Sequence, residues 1–390
     1  MRDTSSPLDS VDRPPTVWLL MGHKVGDNAQ MLALAEGLGW PHEIKRFVYR
    51  RYEIVPNLLL GATLAGVERQ RSSTLAPPWP DLVISAGRRN EPIARWIRRQ
   101  APERVRILHF GRPWGPLGSF DLIVTTPQYR LPDLANILHV ETPLHRVNPQ
   151  RLSREAAQWE SRLRHLPRPF TAVLVGGSSP PYVFDERTAE RLAREVSAFA
   201  AGQGGSLLIS TSARTPLPAI DVMQANLSVP AELFRWSKDA PDNPYIAFLG
   251  LAEAIIVTGE SMSMLSEGCA TGKPVHIFDI GEGRTAMRRR PDAIEPVLQS
   301  GQGSALNPGA LVQRVVRAVG PERFQRDIRV IQNNLVDAGY AVWLGDAFPA
   351  ERQRPPLDCL ARTVVRVREM VRSETIITVG ARAAGGGSNA

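Results

Sequence analysis

Short apolar runs alternate with helical periodicity along most of this chain, and that alternation limits its fold more than any single motif does. Runs of four or five residues at 17–21, 44–48, 82–85, 106–110, 122–125 and 137–140 are separated by turns and by helical stretches such as 28–38 and 91–99. Strands that must be joined by helices pair parallel, and a parallel sheet needs cover on both faces. The pattern pauses after an amphipathic stretch at 153–166, with Ser153 as its expected N-cap, at the stiff break Leu166-Pro167-Arg168-Pro169. It then restarts: strands are expected at 171–175, 206–210 and 254–257, with helices from Asp185 to 201, at 217–225, 244–251 and 308–319, and a basic amphipathic helix at 360–372. The chain therefore reads as two doubly wound α/β halves, and ligands of such sheets bind outside the carboxyl ends of the strands.

The predicted organisation is a leader at 1–15, a first domain at 16–166, a second at 167–350, a C-terminal helix at 351–376 that packs back on the first domain, and a Gly-rich tail at 377–390. The leader carries Asp3, Asp9 and Asp12 among several prolines, unlike a signal or transit peptide. No run approaches the roughly 20 apolar residues that a membrane span needs. The two cysteines, Cys269 and Cys359, form neither a metal spacing nor a disulfide framework, so a reducing, cytoplasmic setting is expected. The formal charge of +8 is almost all arginine, since there are only four lysines. It is spread along the chain, which speaks against nucleic acid but allows peripheral contact with an anionic inner-membrane surface.

The stretch from Ala254 to Ile280 is the most informative part of the second half. An apolar run breaks at Thr258-Gly259, a small-residue helix follows, and Gly272-Lys273-Pro274 leads into another apolar run. A strand, tight turn and helix in that order leave the amide groups of Ser261, Met262, Ser263 and Met264 unpaired, and such an end attracts phosphate. Thr258, Gly259, Glu260, Ser261 and Ser263 cluster at this turn. Glu260 reads either as a hydroxyl ligand or as a favourable charge at a helix start. Glu267 reads either as a contact to a sugar hydroxyl or as part of a solvated face. Gly176-Gly177-Ser178 and the loop with Ser212 and Arg214 end two neighbouring strands. Glycines let amides approach a phosphate closely, and a guanidinium fork can grip it.

In the first half, Gly22-His23-Lys24-Val25-Gly26-Asp27-Asn28 follows the first strand. His23 and Asp27 are candidate general bases for an acceptor hydroxyl; the plain alternatives are a structural histidine and an aspartate capping the next helix. Lys24, Arg88 and Arg89 are candidate acceptor contacts, with Arg112 as a further cation. No phosphate loop, nucleophile elbow, dinucleotide Gly-x-Gly-x-x-Gly or histidine metal spacing appears, which disfavours a P-loop NTPase, a serine hydrolase and a nicotinamide enzyme.

These motifs, together with Asn243-Pro244-Tyr245 and Thr258-Gly259-Glu260-Ser261-Met262-Ser263-Met264-Leu265-Ser266-Glu267, resemble the mitochondrial fission ELM family over residues 16–350. Bacterial members of that family are described as GT-B glycosyltransferases. Plant members are linked to mitochondrial division through recruitment of a dynamin-like protein. The resemblance implies two Rossmann-like domains facing across a cleft, a nucleotide-sugar donor held mainly by the second, and no metal or other cofactor. The same reading is similar to lipid-linked-sugar transferases of cell-wall synthesis, in which Glu267 would hold the ribose and the turn at 259–263 the diphosphate. The expected activity is transfer of a sugar from a nucleotide diphosphate to an envelope or lipid-linked glycan acceptor. A nucleotide-sugar 2-epimerase and a non-catalytic adaptor are the rivals.

Overall fold

The computed structural model of the chain describes residues 13–50, 61–238, 240, 242–288, 326–348, 354 and 356–384. The helix expected at 308–319 lies outside these residues, as do most of the leader at 1–15 and the end of the tail at 377–390. The chain divides into two compact units: Met1–Val140 with Asp358–Ala390, and Glu141–Leu357.

In the first unit, β1 (Val17–Met21), β2 (His42–Arg46), β3 (Leu82–Ala86), β4 (Arg106–Phe110), β5 (Leu122–Thr125) and β6 (Ile137–His139) form one parallel sheet in the order β2-β1-β3-β4-β5-β6. β1, β3 and β5 are buried along their whole length. That is why they read as unbroken apolar runs, as expected of strands covered on both faces. β2 lies at the edge and exposes four of its five residues; its buried Lys45 lies over the Trp18 ring at 4.1 Å and pairs with Glu43 at 2.6 Å. Helices α1 (Val25–Leu38) and α2 (Glu91–Gln100) connect the strands around the first crossover. Gly39, at φ 68°, closes α1 with its amide on Ala35. The apolar core gathers Leu20, Val83, Ile93, Ile97 and Ile107.

In the second unit, β7 (Phe170–Leu174), β8 (Ser206–Ser210), β9 (Ala231–Phe234), β10 (Ala254–Thr258), β11 (Val275–Phe278) and β12 (Val342–Trp343) form a parallel sheet in the order β12-β11-β10-β7-β8-β9. Counted from β7, this is the Rossmann order, and its direction reverses between β7 and β10. In the first sheet the reversal falls between β1 and β3.

Several boundaries differ from the sequence reading, among them β2, at 42–46 rather than 44–48, and α1, which starts at Val25 rather than Asn28. The helix expected at 153–166 is α3 (Pro149–Glu160), capped by Asn148, whose Oδ1 accepts the Arg151 amide at 2.8 Å, and not by Ser153. Pro149 at the first helical position favours that earlier start. α3 packs on α6 (Tyr245–Leu251) inside the second unit, where a Cβ on Gly250 would lie 2.7 Å from the Leu152 carbonyl oxygen. The first compact unit thus stops at Val140, well before the Pro167-Arg168-Pro169 break. Asp185 caps α4 (Glu186–Gly202), accepting the amide and hydroxyl of Thr188 at 2.9 and 2.8 Å. α5 (Leu217–Ala225), α7 (Met262–Cys269) and α8 (Arg329–Asp337) complete the described helices of this unit.

The final helix, α9 (Cys359–Ala384), packs on α1 in the first unit. A Cβ on Gly37 would lie 3.0 Å from Val364, and Arg368 donates to the Leu38 carbonyl at 3.2 Å. Among the described residues no helix is long and apolar enough to cross a membrane.

Candidate functional site

The reversal point of the second sheet collects most of the residues singled out there. β10 ends at Thr258, whose Oγ1 accepts the Gly176 amide at 2.8 Å and so ties together the ends of β7 and β10. Glu260, two residues on, turns its carboxyl into this junction and is 1 % exposed. Its Oε1 lies 3.2 Å from Thr258 Oγ1 and 3.6 Å from an Arg214 nitrogen, while its Oε2 is buried with no hydrogen-bond partner among the described residues. Burial pushes the Glu260 carboxyl up to about 8, against the pull of Arg214 and, more weakly, of Arg326. At neutral pH this group is mostly protonated, and an O–H facing a ligand oxygen would complete its hydrogen bonding.

Gly176 makes room for that carboxyl. A Cβ there would overlap Glu260 Oε1 and lie 2.5 Å from the Ser261 Cβ and 2.9 Å from Arg214. Gly177, at φ 96°, is needed for a different reason: its Cβ would lie 2.6 Å from the Thr215 amide nitrogen. The Ser178 amide donates to the Arg214 carbonyl at 3.2 Å, and the Ser178 hydroxyl accepts from Phe184 at 3.0 Å. The Ser178 amide is thereby used within its own loop, where its hydroxyl acts as an acceptor. Ser212 likewise donates its hydroxyl to the Gly176 carbonyl and accepts the Arg214 amide at 3.1 Å. Arg214 is half-exposed and donates to the Ser178 carbonyl at 3.2 Å.

At the start of α7 the amide of Ser261 is engaged by the Thr258 carbonyl at 3.1 Å, which corrects the expectation that it is free. Helix geometry leaves the amides of Met262, Ser263 and Met264 without intrahelical partners, and the Ser261 hydroxyl does not cap them. Gly259 donates to Phe278 in the sheet, and its Cβ would lie 2.7 Å from Met287 Sδ, so it serves packing. Glu267 accepts the Tyr245 hydroxyl at 2.5 Å through Oε2. It is half-buried rather than on a solvated face, and burial raises its carboxyl against the lowering effect of Tyr245 and of Arg151 and Arg146.

The reversal point of the first sheet is built differently. Asn90, buried at the start of α2, donates to the carbonyls of Leu20 and Ala86 at 2.6 and 3.1 Å and accepts the Tyr49 hydroxyl. Its carboxamide fills the junction of β1 and β3. Asn28 Oδ1 accepts the Gly22 amide at 3.0 Å and its Nδ2 donates to the Gly22 carbonyl at 3.0 Å. α1 therefore starts at Val25, and Asp27 lies within its first turn instead of capping it. Asp27 Oδ2 is 3.5 Å from where a Gly87 Cβ would be, so the loops after β1 and β3 meet there. His23 is exposed; partial burial, then Arg89 and Lys24, lower its imidazole below the usual value, with Asp27 opposing. Arg89 lies over the Tyr49 ring at 5.3 Å and Arg88 over the Trp114 ring at 5.7 Å.

Three residues escaped the sequence reading. Arg326 acts on both Arg214 and Glu260 but stands beyond any motif. Asn90 follows Arg89 directly, yet its cross-strand role depends on register. Trp114, in Gly111-Arg112-Pro113-Trp114-Gly115 just past β4, was signalled only by that turn sequence. Among the described residues no group of three or more His, Cys, Asp or Glu is placed to hold a metal ion.

Comparison with known proteins adds a sequence match and distant structural ones. The model of the family described as mitochondrial fission ELM1 matches residues 25–295. The mitochondrial fission protein ELM1 of Arabidopsis thaliana is 26 % identical over 261 residues, which cover 60 % of this chain and 61 % of the plant protein. Among solved structures, MurG of Acinetobacter baumannii is 14 % identical with 95 % of each chain covered and a TM-score of 0.40. The UDP-GlcNAc 2-epimerase of Neisseria meningitidis, bound to UDP-GlcNAc, is 12 % identical, with 91 % of this chain and 100 % of that chain covered and a TM-score of 0.43.

Proposed function

The chain belongs to the mitochondrial fission ELM1 family, and on that basis we propose that it is a GT-B-type glycosyltransferase whose second unit holds a nucleotide-diphosphate sugar. The observation that carries this reading is Glu260: a buried carboxyl with one oxygen unpartnered among the described residues, at the reversal point of a Rossmann-ordered sheet, beside a guanidinium and next to three helix amides that lack intrahelical partners. Perturbed, incompletely bonded groups at such points mark ligand sites.

In the proposed mechanism the diphosphate lies over Gly176. The amides of Met262, Ser263 and Met264 and the half-exposed fork of Arg214 stabilise the charge that builds up as the diphosphate leaves. Protonated Glu260 donates to a phosphate oxygen, so binding needs no buried carboxylate facing an anion. Glu267 Oε1 takes a ribose hydroxyl while Oε2 keeps Tyr245 in place. In the first unit, His23 is neutral at pH 7 and takes the proton of the acceptor hydroxyl, with Asp27 orienting it. The acceptor is an envelope or lipid-linked glycan, met by Lys24, Arg88 and Arg89. No cofactor takes part, and contact with an anionic membrane surface would bring the protein to a lipid-borne acceptor.

Calorimetric titration with uridine, guanosine and cytidine diphosphates tests the donor site. One of them is expected to bind with micromolar to submillimolar affinity, and Glu260→Ala or Glu267→Ala to weaken it at least tenfold. Absence of binding at millimolar ligand would overturn the reading and leave an adaptor. Release of an epimerised sugar without any acceptor would replace transfer by 2-epimerisation.

A further inference from the structure

Against the turn between β10 and α7 lies a carboxamide that takes no part in the mechanism proposed above. Gln332, near the start of α8, is fully buried. Its Nε2 donates to the Gly259 carbonyl at 2.5 Å and lies 3.3 Å from Met287 Sδ. Its Oε1 is buried with no hydrogen-bond partner among the described residues. A carbonyl oxygen can be met only by a donor, so the nitrogen end of the carboxamide must face Gly259. An orphan buried oxygen is costly, and an apolar side chain here would avoid it only by leaving the Gly259 carbonyl unmet instead.

The contact is closely fitted. A Cβ on Gly259 would lie 2.7 Å from Met287 Sδ and 3.0 Å from Gln332 Nε2, so glycine is what lets both come this near. Met287 is itself fixed, because the Asp279 carboxylate oxygens accept its amide at 3.0 and 2.8 Å. The Gly259 amide donates to the Phe278 carbonyl at 2.9 Å. Both polar groups of Gly259 are thus anchored, one in the sheet and one on α8. A trans peptide is flat, and its N–H points opposite to its C=O. Drawing the Gly259 carbonyl onto α8 therefore turns the Glu260 amide away from α8. That amide meets the carboxyl of its own residue, which it lowers as a donor to the charged form, against burial. Arg326, just ahead of α8, acts on both Glu260 and Arg214, so this part of the chain reaches the same junction a second time.

We propose that Gln332 is a positioning residue of the anion site: by holding the Gly259–Glu260 peptide on α8, it aims the amide and carboxyl of Glu260 into the junction of β7 and β10. That the anion is the diphosphate of a sugar donor rests on the transferase reading; the hold on Glu260 does not. The groups that act on the Glu260 carboxyl are Arg214 from the loop after β8, its own amide, Thr258 from β10 and Arg326. A purely structural Gln332, satisfying one carbonyl, would affect stability and leave the titration of Glu260 where it is.

Two readouts on the full chain separate these cases. Without ligand, the Glu260 carboxyl is titrated by carbon NMR and assigned by comparison with Glu260→Gln. With ligand, inorganic pyrophosphate is titrated calorimetrically at pH 6 and pH 9. Gln332→Met removes the donor and keeps the length. It should raise the Glu260 pKa by about half a unit or more, because a peptide free to turn gives up its bond to the carboxylate. It should also weaken pyrophosphate about tenfold, the loss of one hydrogen bond to a charged group. Leu335→Ala loosens the packing of α8 away from Gly259 and serves as the stability control, expected to move neither readout. Gln332→Glu is the rescue. Burial keeps its carboxyl protonated at pH 6, where the O–H can serve Gly259, and ionisation by pH 9 ends that service. Its affinity should match wild type at pH 6 and fall about tenfold below it at pH 9. A Glu260 titration that Gln332→Met leaves as Leu335→Ala does overturns the proposal. Should the Met variant not fold, Gln332→Glu decides, and an affinity ratio to wild type that is the same at both pH values overturns it. Failure of pyrophosphate and of nucleoside diphosphates to bind, with the Glu260 titration still shifted, would remove the transferase reading and leave the hold of Gln332 standing.

Discussion

The two sheets of this protein reverse direction at corresponding places, yet one junction is closed by the chain itself and the other is left unfinished. Between β1 and β3 the carboxamide of Asn90 bonds to Leu20, Ala86 and Tyr49, so both its nitrogen and its oxygen are matched. Between β7 and β10 the corresponding space holds Glu260, with an unmatched buried oxygen and a guanidinium 3.6 Å away. A buried polar group without a partner costs on the order of 1–3 kcal/mol, so the second junction is less stable than it would be with an amide there. On the proposed function, the difference separates a junction built for strength from one arranged around a ligand.

The largest expected effect comes from filling the unfinished junction. Gly176→Ala places a methyl on Glu260 and within 2.9 Å of Arg214, and neither the sheet end nor the buried carboxyl can move away easily. Overpacking of this kind costs about 1–3 kcal/mol and occasionally more. Here a loss of about 3 kcal/mol in urea unfolding is expected, together with loss of diphosphate binding. A Gly176→Ala protein of wild-type stability that still binds would mean that the junction is loose, and the contrast with the first unit would disappear.

Much of this contrast was hidden in the sequence, for physical reasons. Most strands of both units were legible, because burial on two faces turns them into short apolar runs that sequence alone displays; β9, half-buried along Ala231–Phe234, leaves no such run and was not read. β12, with only Val342 and Trp343, is too short to leave such a trace. The unit boundary was obscured by α3, whose amphipathic pattern says that it packs but not on what. Its partner α6 lies about ninety residues later. Glu260 was recognised as a residue of the turn, yet its direction depends on the missing side chain at Gly176, 84 positions earlier. The free amides of α7 were legible from strand, turn and helix in order, except that a tight turn consumed the one at Ser261. Trp114 and Asn90 went unnoticed because their roles come from neighbours on other strands.

A smaller effect separates the two units by pH. Glu260 carries a folded value of about 8 against an ordinary value near 4.5. The folded protein therefore binds the extra proton between these values, and the stability that this proton confers is full below pH 4.5 and lost as pH rises through 8. Glu260→Gln removes that dependence, so the variant should lose less stability than the wild type between pH 6 and pH 9, by up to a few kcal/mol. His109 in the first unit has the opposite sign. Its value of about 3 lies below the ordinary 6.5, so its contribution is present above pH 6.5 and lost on acidification. His145 and His276 in the second unit are also lowered and add to the acid side. Parallel alkaline limbs for wild type and Glu260→Gln would mean that the carboxyl is ionised throughout, and donation of a proton to a phosphate oxygen would fall with it.

The smallest effect is the sharpest control. Gly22 is the first residue after β1 and Gly176 the second after β7, but the nearest atom to a Gly22 Cβ is Asn90 Nδ2, at an ordinary 3.6 Å. Its backbone lies outside the left-handed region, and its amide and carbonyl are already bound by Asn28. An alanine fits that conformation and reduces the freedom of the unfolded chain, which favours folding by about 0.4–1 kcal/mol. Gly22→Ala is therefore expected to be neutral or slightly stabilising in the same urea titration that shows the loss at Gly176. Both glycines stand just past the first strand of their sheet, neither in the left-handed region, and are exchanged for the same residue, so intrinsic preferences of glycine and alanine largely cancel between them. What remains is the space beside each strand end: Asn90 leaves room at one junction, and the carboxyl of Glu260 takes it at the other. A loss of more than about 2 kcal/mol at Gly22 would exceed any backbone preference of alanine over glycine there. It would show that the first junction is as intolerant as the second, and the crowding at Gly176 would then be a property of these sheet ends in general rather than of a site kept for a ligand.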